Sequence, residues 1–477
     1  MWKYWASATF NKVNPLPKNF NETVAALDCA PDRSHPAPGP IHRGGLWLGR
    51  QVMRCSRRQA LLASLGAVGW RVGAAKELPS WTARAVPAAE PMRQLHAGGP
   101  SGLLGTGVTG NLWALSLTGQ APQRLAGGLD AATPLAIGHG RIAARMAGGG
   151  LWVWEDGRVR TSMSAGLAVH AGLLILPLAV VGVVSVMEGQ TDSARRTDPP
   201  SHRIARFEPD GAGRWREVAR SQDAVLPDAR PLQVDLDGRG DGGHIAVLAG
   251  PDASRYDHGV LGDGIEATRV LWLERHGLDV LRSLTLPAPH VFEDIAPRPV
   301  ALPGVPARLG LLTVRAGPDG GQLVLVTADP ARKTGLQVAA IGDTVGGFHR
   351  WLAPTTDGHQ WLAVHTPHIG GVLHVYQQDG QQLTRRRLLN DVSTHRIGSR
   401  ELDLSVWLRG LLVLPSQDGR RLRVLNPAAN WAEQQSVPLP ARVGMATALA
   451  DGSGMVVLTE DGRVWIVEPP ANAPSRS

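Results

Sequence analysis

Cysteine is almost absent from this chain of 477 residues. Its two cysteines, Cys29 and Cys55, both lie within the first 75 residues. Residues 76–477 therefore contain no disulfide, no thiolate zinc site and no cysteine nucleophile. A chain of this kind is suited to an oxidising compartment, where an unpaired thiol is a liability.

The main part of the chain also lacks an excess of charge of one sign. The formal net charge is +8, but ten basic and only three acidic residues lie within residues 1–75, which leaves 39 basic and 38 acidic residues for the rest. A nearly neutral body has no global field that would hold a phosphate backbone. We therefore predict no nucleic-acid partner. With 43% hydrophobic and 19% charged residues, the chain is globular.

Local catalytic signatures are missing as well. The sequence has no Gly-x-Ser-x-Gly elbow, no phosphate-binding loop with its lysine, no His-Glu-x-x-His and no dinucleotide fingerprint. This disfavours an enzyme. An active site assembled from residues far apart in sequence stays open as an alternative.

Long helical periodicity is almost absent, and short hairpin patterns take its place. Asp-Gly pairs stand between β-forming runs at Asp156-Gly157, Asp418-Gly419 and Asp461-Gly462, which is a strong hairpin signal. Apolar runs recur about every fifty residues, near residues 103, 143, 173, 245, 311, 362, 411 and 456. That spacing is the size of a four-stranded propeller blade. The sequence predicts an all-β fold, a β-propeller of seven or eight four-stranded blades; a β-sandwich array and a β-helix are the competing architectures.

One apolar stretch, Ala165–Met187, is long enough to be considered as a membrane span. We reject that interpretation because Pro177 and three glycines interrupt the stretch, and because the segment 172–177 (GLLILP) recurs as 410–415 (GLLVLP). We therefore interpret the two segments as the same blade strand and predict that the chain is not an integral membrane protein.

The N-terminal region carries a targeting pattern. Residues 56–62 (SRRQALL), with the pair Arg57 and Arg58, are followed by a short apolar run and resemble a twin-arginine export signal. The resemblance implies export in the folded state and a periplasmic location. We predict a spurious or disordered extension at 1–52, a signal peptide at 53–75 and the propeller domain at 76–477.

A carboxylate-rich loop lies at residues 235–248 (DLDGRGDGGHIAVL) and resembles the FG-GAP and VCBS repeats of integrin-alpha-like propellers. The resemblance implies calcium ligands at Asp235 and Asp237, with Asp241 as an off-pattern acid. Arg239 stands where a third carboxylate belongs, so half of the expected oxygens are missing. We therefore expect no cofactor, with calcium as the open alternative. The segments at 295–314 and 350–364 look like degenerate copies of the same unit.

Two loops are the candidates for a functional site. The first is the stretch 365–371 (HTPHIGG), with His365, His368, Gly370 and Gly371; it belongs to a group of five histidines within 26 residues, and its glycines would let a backbone approach a ligand. The second is the long insertion with His258, Asp263 and Glu266, which is either a binding loop on the channel face or a solvated excursion.

Two functions follow from these observations. The first is a non-catalytic binding or scaffold module for a protein or an envelope glycan. The second is a periplasmic hydrolase or lyase with an active site in the propeller channel, built from His258, Asp263, Glu266 and His368. Convergence of these side chains with an acid of shifted pKa would favour the enzyme.

Overall fold

The computed structural model describes residues 80–99, 102–186, 201–240, 242–302, 305–333 and 335–470. The predicted N-terminal extension, the signal peptide with Arg57 and Arg58, and Asp241 all lie outside the described residues. The described part of the chain lies within one compact unit. It contains 33 strands and only two short 3₁₀ helices, at Gly259–Leu261 and Pro427–Ala429, so the predicted all-β class is confirmed.

The strands form eight successive antiparallel units of four, each a propeller blade. Blade 1 contains β2 (Met92–Ala97), β3 (Leu103–Gly107), β4 (Leu112–Ala114) and β5 (Gln123–Ala126). Blade 2 contains β6 (Ala136–Gly138), β7 (Arg141–Arg145), β8 (Leu151–Glu155) and β9 (Arg158–Ser162). Blade 3 contains β10 (Leu173–Leu176), β11 (Ala179–Val186), β12 (Ser201–Pro209) and β13 (Trp215–Arg220). Blade 4 contains β14 (Leu232–Val234), β15 (His244–Asp252), β16 (Glu266–Leu273) and β17 (Val280–Thr285).

The second half of the chain repeats the pattern. The two-residue strand β18 (Val291–Phe292) precedes blade 5, which contains β19 (Arg298–Leu302), β20 (Val305–Ala316), β21 (Gln322–Ala328) and β22 (Leu336–Gly342). Blade 6 contains β23 (Leu352–Thr356), β24 (Trp361–His365), β25 (Val372–Asp379) and β26 (Gln382–Asn390). Blade 7 contains β27 (Val406–Leu408), β28 (Leu411–Pro415), β29 (Arg421–Asn426) and β30 (Ala432–Pro438). Blade 8 contains β31 (Val443–Ala448), β32 (Met455–Thr459), β33 (Val464–Glu468) and, as its fourth strand, β1 (Thr82–Val86).

Strand β1 closes the ring. It pairs antiparallel with β33, from Thr82 opposite Glu468 to Val86 opposite Val464. The first strand of blade 1, β2, also lies against β31 and β32 of blade 8. The first and last blades are thereby joined by the start of the described chain, and the propeller has no open end.

Blades 4, 5 and 6 form one continuous hydrogen-bonded sheet, whereas every other blade is a separate sheet of four strands. Strand β18 bridges β16 and β20. The fourth strands of blades 5 and 6, β22 and β26, pair in parallel through Ile341 and Gly342. The largest cluster of buried apolar residues spans these blades and part of blade 3.

The predicted apolar runs correspond to one strand in each of the eight blades. Seven of them are second strands, which neighbouring blades cover on both sides; Ile245 and Leu248 of β15, for example, have no exposed surface. A strand buried on both faces reads as a continuous apolar run. The three repeat-like segments beginning at 235, 295 and 350 each run into the second strand of blades 4, 5 and 6.

The prediction that the segments 172–177 and 410–415 are equivalent strands is wrong. Leu173–Leu176 is the first strand of blade 3, whereas Leu411–Pro415 is the second strand of blade 7. Both are covered by neighbouring strands, so burial produced similar sequences at different positions. The stretch that resembled a membrane span contains strands β10 and β11. None of the described helices has the length and apolar character needed to cross a bilayer.

Candidate functional site

The antiparallel order of the strands places the connecting segments on two faces. The loops between second and third strands share a face with the connections from one blade to the next, and we call this the upper face. The predicted residues His258 and Asp263 lie in the loop between β15 and β16, with Glu266 at the first position of β16; His368 and Gly370 lie in the loop between β24 and β25. All therefore belong to the upper face. Asp235 and Asp237 lie between β14 and β15, on the lower face.

One connection spans the ring. The segment from blade 6 to blade 7, residues 391–405, which we call the crossing segment, contacts blade 8 where Arg396 Nη1 donates to Glu460 Oε1 at 2.6 Å. It contacts blade 4 where the Gly398 N–H donates to the carbonyl of Val260 at 2.8 Å. Blades 4 and 8 are opposite each other in a ring of eight, so the crossing segment passes over the axis of the propeller.

Arg400 fixes the crossing segment to the opposite side of the ring. Its guanidinium group forms ion pairs with Asp228, in the connection between blades 3 and 4, and with Asp263 of blade 4. The side chain of Arg230 in turn donates to the carbonyl of Arg400. Arg400 and Asp228 are each only 3% exposed, so removal of Arg400 would leave the buried carboxylate of Asp228 without its ion-pair partner.

Two glutamates lie buried beside this ion-pair network. Glu266 is 2% exposed and Glu293 has no exposed surface. Burial raises the pKa of Glu266 well above its usual value, and the neighbouring carboxylates of Glu293 and Asp228 raise it further. Burial and the adjacent Asp294 likewise raise the pKa of Glu293. Both groups therefore take up protons more readily than an exposed carboxylate does.

His258 connects the buried Glu293 to the surface. Its Nδ1 forms a hydrogen bond with Glu293 Oε1, and its ring stacks on His349 with the centroids 4.7 Å apart. Burial lowers the pKa of His258, and the nearby carboxylate of Asp257 only partly offsets this effect. The imidazole is thus oriented by a carboxylate and held against a second imidazole.

His368 forms a directional pair with His395 of the crossing segment. His395 Nε2 lies 2.9 Å from the carbonyl oxygen of Ser399, which can only accept, so this nitrogen carries the proton. Burial lowers the pKa of His395 well below its usual value, and the neutral ring accepts at Nδ1 from His368 Nε2 at 2.9 Å. Burial, and then His258, lower the pKa of His368 to about 4. The pair therefore extends the network to blade 6.

His365 is not part of this network. It lies inside blade 6, where its Nε2 is 2.5 Å from the Tyr376 hydroxyl and its Nδ1 accepts from Arg385 at 3.3 Å. Burial, and then the neighbouring His374 and Arg385, lower its pKa to about 3. Of the five clustered histidines, His365 and His374 lie together on adjacent strands of blade 6, with ring centroids 4.1 Å apart, and the other three lie in loops.

The two predicted glycines have local structural explanations. Gly370 adopts a positive φ of 66° with open space around it, as a turn residue does. A side chain on Gly371 would meet the carbonyl oxygen of Val392 at 1.9 Å, so Gly371 allows the close approach of blade 6 and the crossing segment. The side-chain amide of Gln417 holds the same loop by donating to the carbonyl of Pro367 at 2.7 Å.

Asp235 and one oxygen of Asp237 are bound by the protein itself, whereas the buried Asp237 Oδ1 has no hydrogen-bond partner among the described residues. Asp235 accepts backbone N–H groups of Gly238 and Gly240, both at 2.7 Å. Burial raises the pKa of Asp235, but these hydrogen bonds outweigh that effect and lower it. Asp237 pairs with Arg239 at 3.0 Å. Across the ranges that the structure describes, no three His, Cys, Asp or Glu side chains are placed to share a metal ion.

We call the ion pairs of Arg400, the hydrogen bond between His258 and Glu293, and the pair of His368 and His395 the upper-face network. It contains residues that the sequence predicted and residues that it did not. Of the residues that the sequence indicated, His258, Asp263 and His368 belong to this network, and Glu266 is buried beside it. No hydrogen bond joins any two of these four residues. Their partners Glu293, His395 and Arg400 were missed. The acidic and basic residues of the blade connections are a signal that could have found them, because such connections meet on one face of a propeller.

Comparisons with known proteins support the fold. No model of a known protein family matches the chain, and no curated protein matches it in sequence. Among solved structures, the chain is similar to the crystal structure of BamB from Moraxella catarrhalis, with a TM-score of 0.50 and 12% identity over 82% of this chain and 100% of that chain. It is also similar to the Dos1 propeller, with a TM-score of 0.51 and 13% identity over 82% of this chain and 94% of that chain. At such identities the likeness shows the β-propeller fold alone.

Proposed function

We propose that this chain is an exported, non-catalytic binding module whose upper face contacts a protein or an envelope glycan. One observation carries the proposal: the charged groups suited to chemistry point inward, while apolar side chains point outward on the same loops. Phe348 is 57%, Ile369 66% and Ile397 67% exposed. Exposed large apolar side chains grouped on the loops of a rigid scaffold are typical of a binding surface.

The proposal is tested by cross-linking in cells. A photo-reactive amino acid at position 397, on the upper face, should cross-link a defined macromolecule. The same amino acid at position 178, where the exposed Leu178 lies on the lower face, should not. Equal cross-linking from both positions, or none from position 397, would contradict a binding role for the upper face.

Export by the twin-arginine route belongs to the same proposal, with residues 53–75 as the signal peptide. The pair Arg57 and Arg58 supports it, as does the lack of cysteine after residue 75. Replacing both arginines by lysine should keep the chain in the cytoplasm, as measured by cell fractionation. Unchanged appearance in the periplasm would disprove this route.

We also propose kinship with the FG-GAP and VCBS repeats, without a resident calcium ion. Three similar segments lie at equivalent positions in blades 4, 5 and 6, which supports the kinship. Because Asp235 already binds backbone N–H groups, the melting temperature should be the same in a chelator and in excess calcium. A higher melting temperature in calcium would show that the loop holds a cation.

The second candidate function is a hydrolase or lyase. The hydrogen bond between His258 and the buried Glu293 favours it, because a carboxylate that orients an imidazole is a feature of general-base sites. This function requires turnover of ester or glycoside substrates that is lost in His258→Gln and kept in His365→Gln, whose imidazole lies inside blade 6. If the chain turns over none of a set of ester and glycoside substrates, the binding module remains as the function.

A further inference from the structure

The three exposed apolar residues of the proposed binding face are held on a fixed backbone. Phe348 precedes His349, which stacks on His258. Ile369 follows His368, which pairs with His395. Ile397 precedes Gly398, whose N–H is bonded to the carbonyl of Val260. Each exposed side chain is therefore next in sequence to a residue anchored in the same network, and its position is set before any partner arrives.

Each of the three residues comes from a different connection of blades 5 to 7. Phe348 lies between β22 and β23, Ile369 between β24 and β25, and Ile397 in the crossing segment. The crossing segment also brings Ile397 to the axis, beside the blade 4 loop that carries His258. We call Phe348, Ile369 and Ile397 the apolar triad.

Two charges without partners accompany the apolar triad. Asp257 is exposed and acts electrostatically on both His258 and His349. Arg350 is exposed and lies two residues after Phe348. Neither has an ion-pair partner within the described ranges, whereas the neighbouring Arg396 and Asp263 are already paired. Asp257 and Arg350 thus place one free charge of each sign beside residues of the network.

From this arrangement we propose that the apolar triad docks a polypeptide segment of another protein, in which bulky apolar side chains stand between a basic and an acidic residue. The basic residue pairs with Asp257 and the acidic residue with Arg350, which gives the segment a direction. This inference rests on the proposed binding function and specifies the chemistry of its partner. A protein segment fits better than a glycan because two members of the triad are isoleucines, which have no flat ring face for a sugar.

The probe for this proposal is a library of random peptides displayed on phage and selected on the immobilised full chain. Enriched peptides should share an apolar centre between a basic and an acidic position. Their affinity should fall about tenfold or more for Ile397→Ser, because a buried apolar anchor dominates such interfaces. It should be unchanged for Met163→Ser, since Met163 is equally exposed, at 67%, on the connection between blades 2 and 3.

Charge reversal tests the direction of the segment. Selection on Asp257→Lys should replace the basic position of the peptides by an acidic one, and selection on Arg350→Glu should replace the acidic position by a basic one. Both residues are exposed and unpaired, so the melting temperature should stay the same. Peptides that keep their charge pattern on these variants would overturn the proposal.

Other occupants would give different results. Self-association of the wild type that is lost in Ile397→Ser would identify a second copy as the occupant and overturn the proposal. Binding of an oligosaccharide that is lost in the same variant would overturn it in favour of a glycan. If position 397 cross-links a protein in cells and no peptide is enriched, this inference fails while the proposed function stands; if neither is observed, both fail.

Discussion

At the scale of single residues, Arg400 and Asp228 form the most deeply buried ion pair of the crossing segment. The substitution Arg400→Gln should reduce the free energy of unfolding by about 3–5 kcal/mol, because the buried carboxylate of Asp228 would lose its ion-pair partner. Urea unfolding of the purified chain measures this change.

The control is a pair of the same type at the surface. Arg421 and Asp391 form an ion pair at 2.8 Å with side chains 50% and 53% exposed. The substitution Arg421→Gln should lower the free energy of unfolding by less than about 1 kcal/mol, since water screens an exposed pair. Similar losses of unfolding free energy in the two variants would show that Arg400 does not stabilise the crossing segment.

A second residue-scale prediction concerns buried histidines. Burial lowers the pKa of His96 from 6.5 to about 3, so the unfolded chain binds a proton at a higher pH than the folded chain does. The stability that this histidine contributes is complete above pH 6.5 and is lost as the pH falls from there towards 3. The lowered pKa values of His365 and His368 likewise make the folded state less stable as the pH falls.

Glu266 and Glu293 act in the opposite direction. Their pKa values are raised, so the folded state gains stability as they take up protons on acidification. A variant that removes one histidine separates the two effects. In His96→Gln the fall of unfolding free energy with acidification should become shallower by about 1.4 kcal/mol per pH unit. An unchanged slope in urea unfolding below pH 6.5 would show that His96 is not held neutral.

Single residues also show where sequence reasoning ended. His258, Asp263 and Glu266 were found because they stand together in one insertion. Arg400 was not found, because its partner Asp228 is 172 residues away. No local pattern encodes a contact across the ring.

At the scale of elements, strand β1 completes blade 8 by pairing with β33. Deletion of residues 80–86 should expose the edge of β33 and lower the free energy of unfolding by about 3–5 kcal/mol, roughly one hydrogen bond for each paired residue. An unpaired edge also favours association, so the shortened chain should aggregate more readily. Thermal unfolding and light scattering measure both effects.

Truncation of residues 471–477, which follow the last described strand, provides the control for that deletion. It leaves the ladder between β1 and β33 intact and should change neither property. If both truncations behave alike, closure by β1 does not stabilise the ring.

Hairpins were predictable because their signals are local. Asp156 and Gly157 both adopt a positive φ, of 49° and 74°, between β8 and β9, as an Asp-Gly hairpin turn requires. The position of a strand within its blade was not predictable for the segment 172–177. Burial on both faces makes first and second strands look alike in sequence.

At the scale of the whole molecule, blades 4 to 6 differ from the rest. They share one hydrogen-bonded sheet and the largest buried cluster, and the crossing segment ties blade 7 back to blade 4. Amide protons in β15, β20 and β24 should therefore exchange last with solvent, and those of β3 and β32 earlier. Hydrogen exchange followed by mass spectrometry measures the order.

The same experiment on Arg400→Gln tests the role of the crossing segment in this order. Loss of the ion pairs should speed amide exchange in blade 4 and reduce the difference in exchange rate between blade 4 and blade 1. Uniform exchange across all eight blades of the wild type would show that the ring unfolds as a single unit.

The hairpins and the eight apolar runs, and hence the propeller, could be predicted from the sequence, because these features depend on residues near one another in the chain. The sequence also indicated which loops carry polar groups. The folded ring was needed to show that the connection from blade 6 to blade 7 crosses the axis, which carboxylates are buried, and which apolar side chains remain exposed. Those outcomes depend on pairs such as Arg400 and Asp263, which closure of the ring brings together across 137 residues.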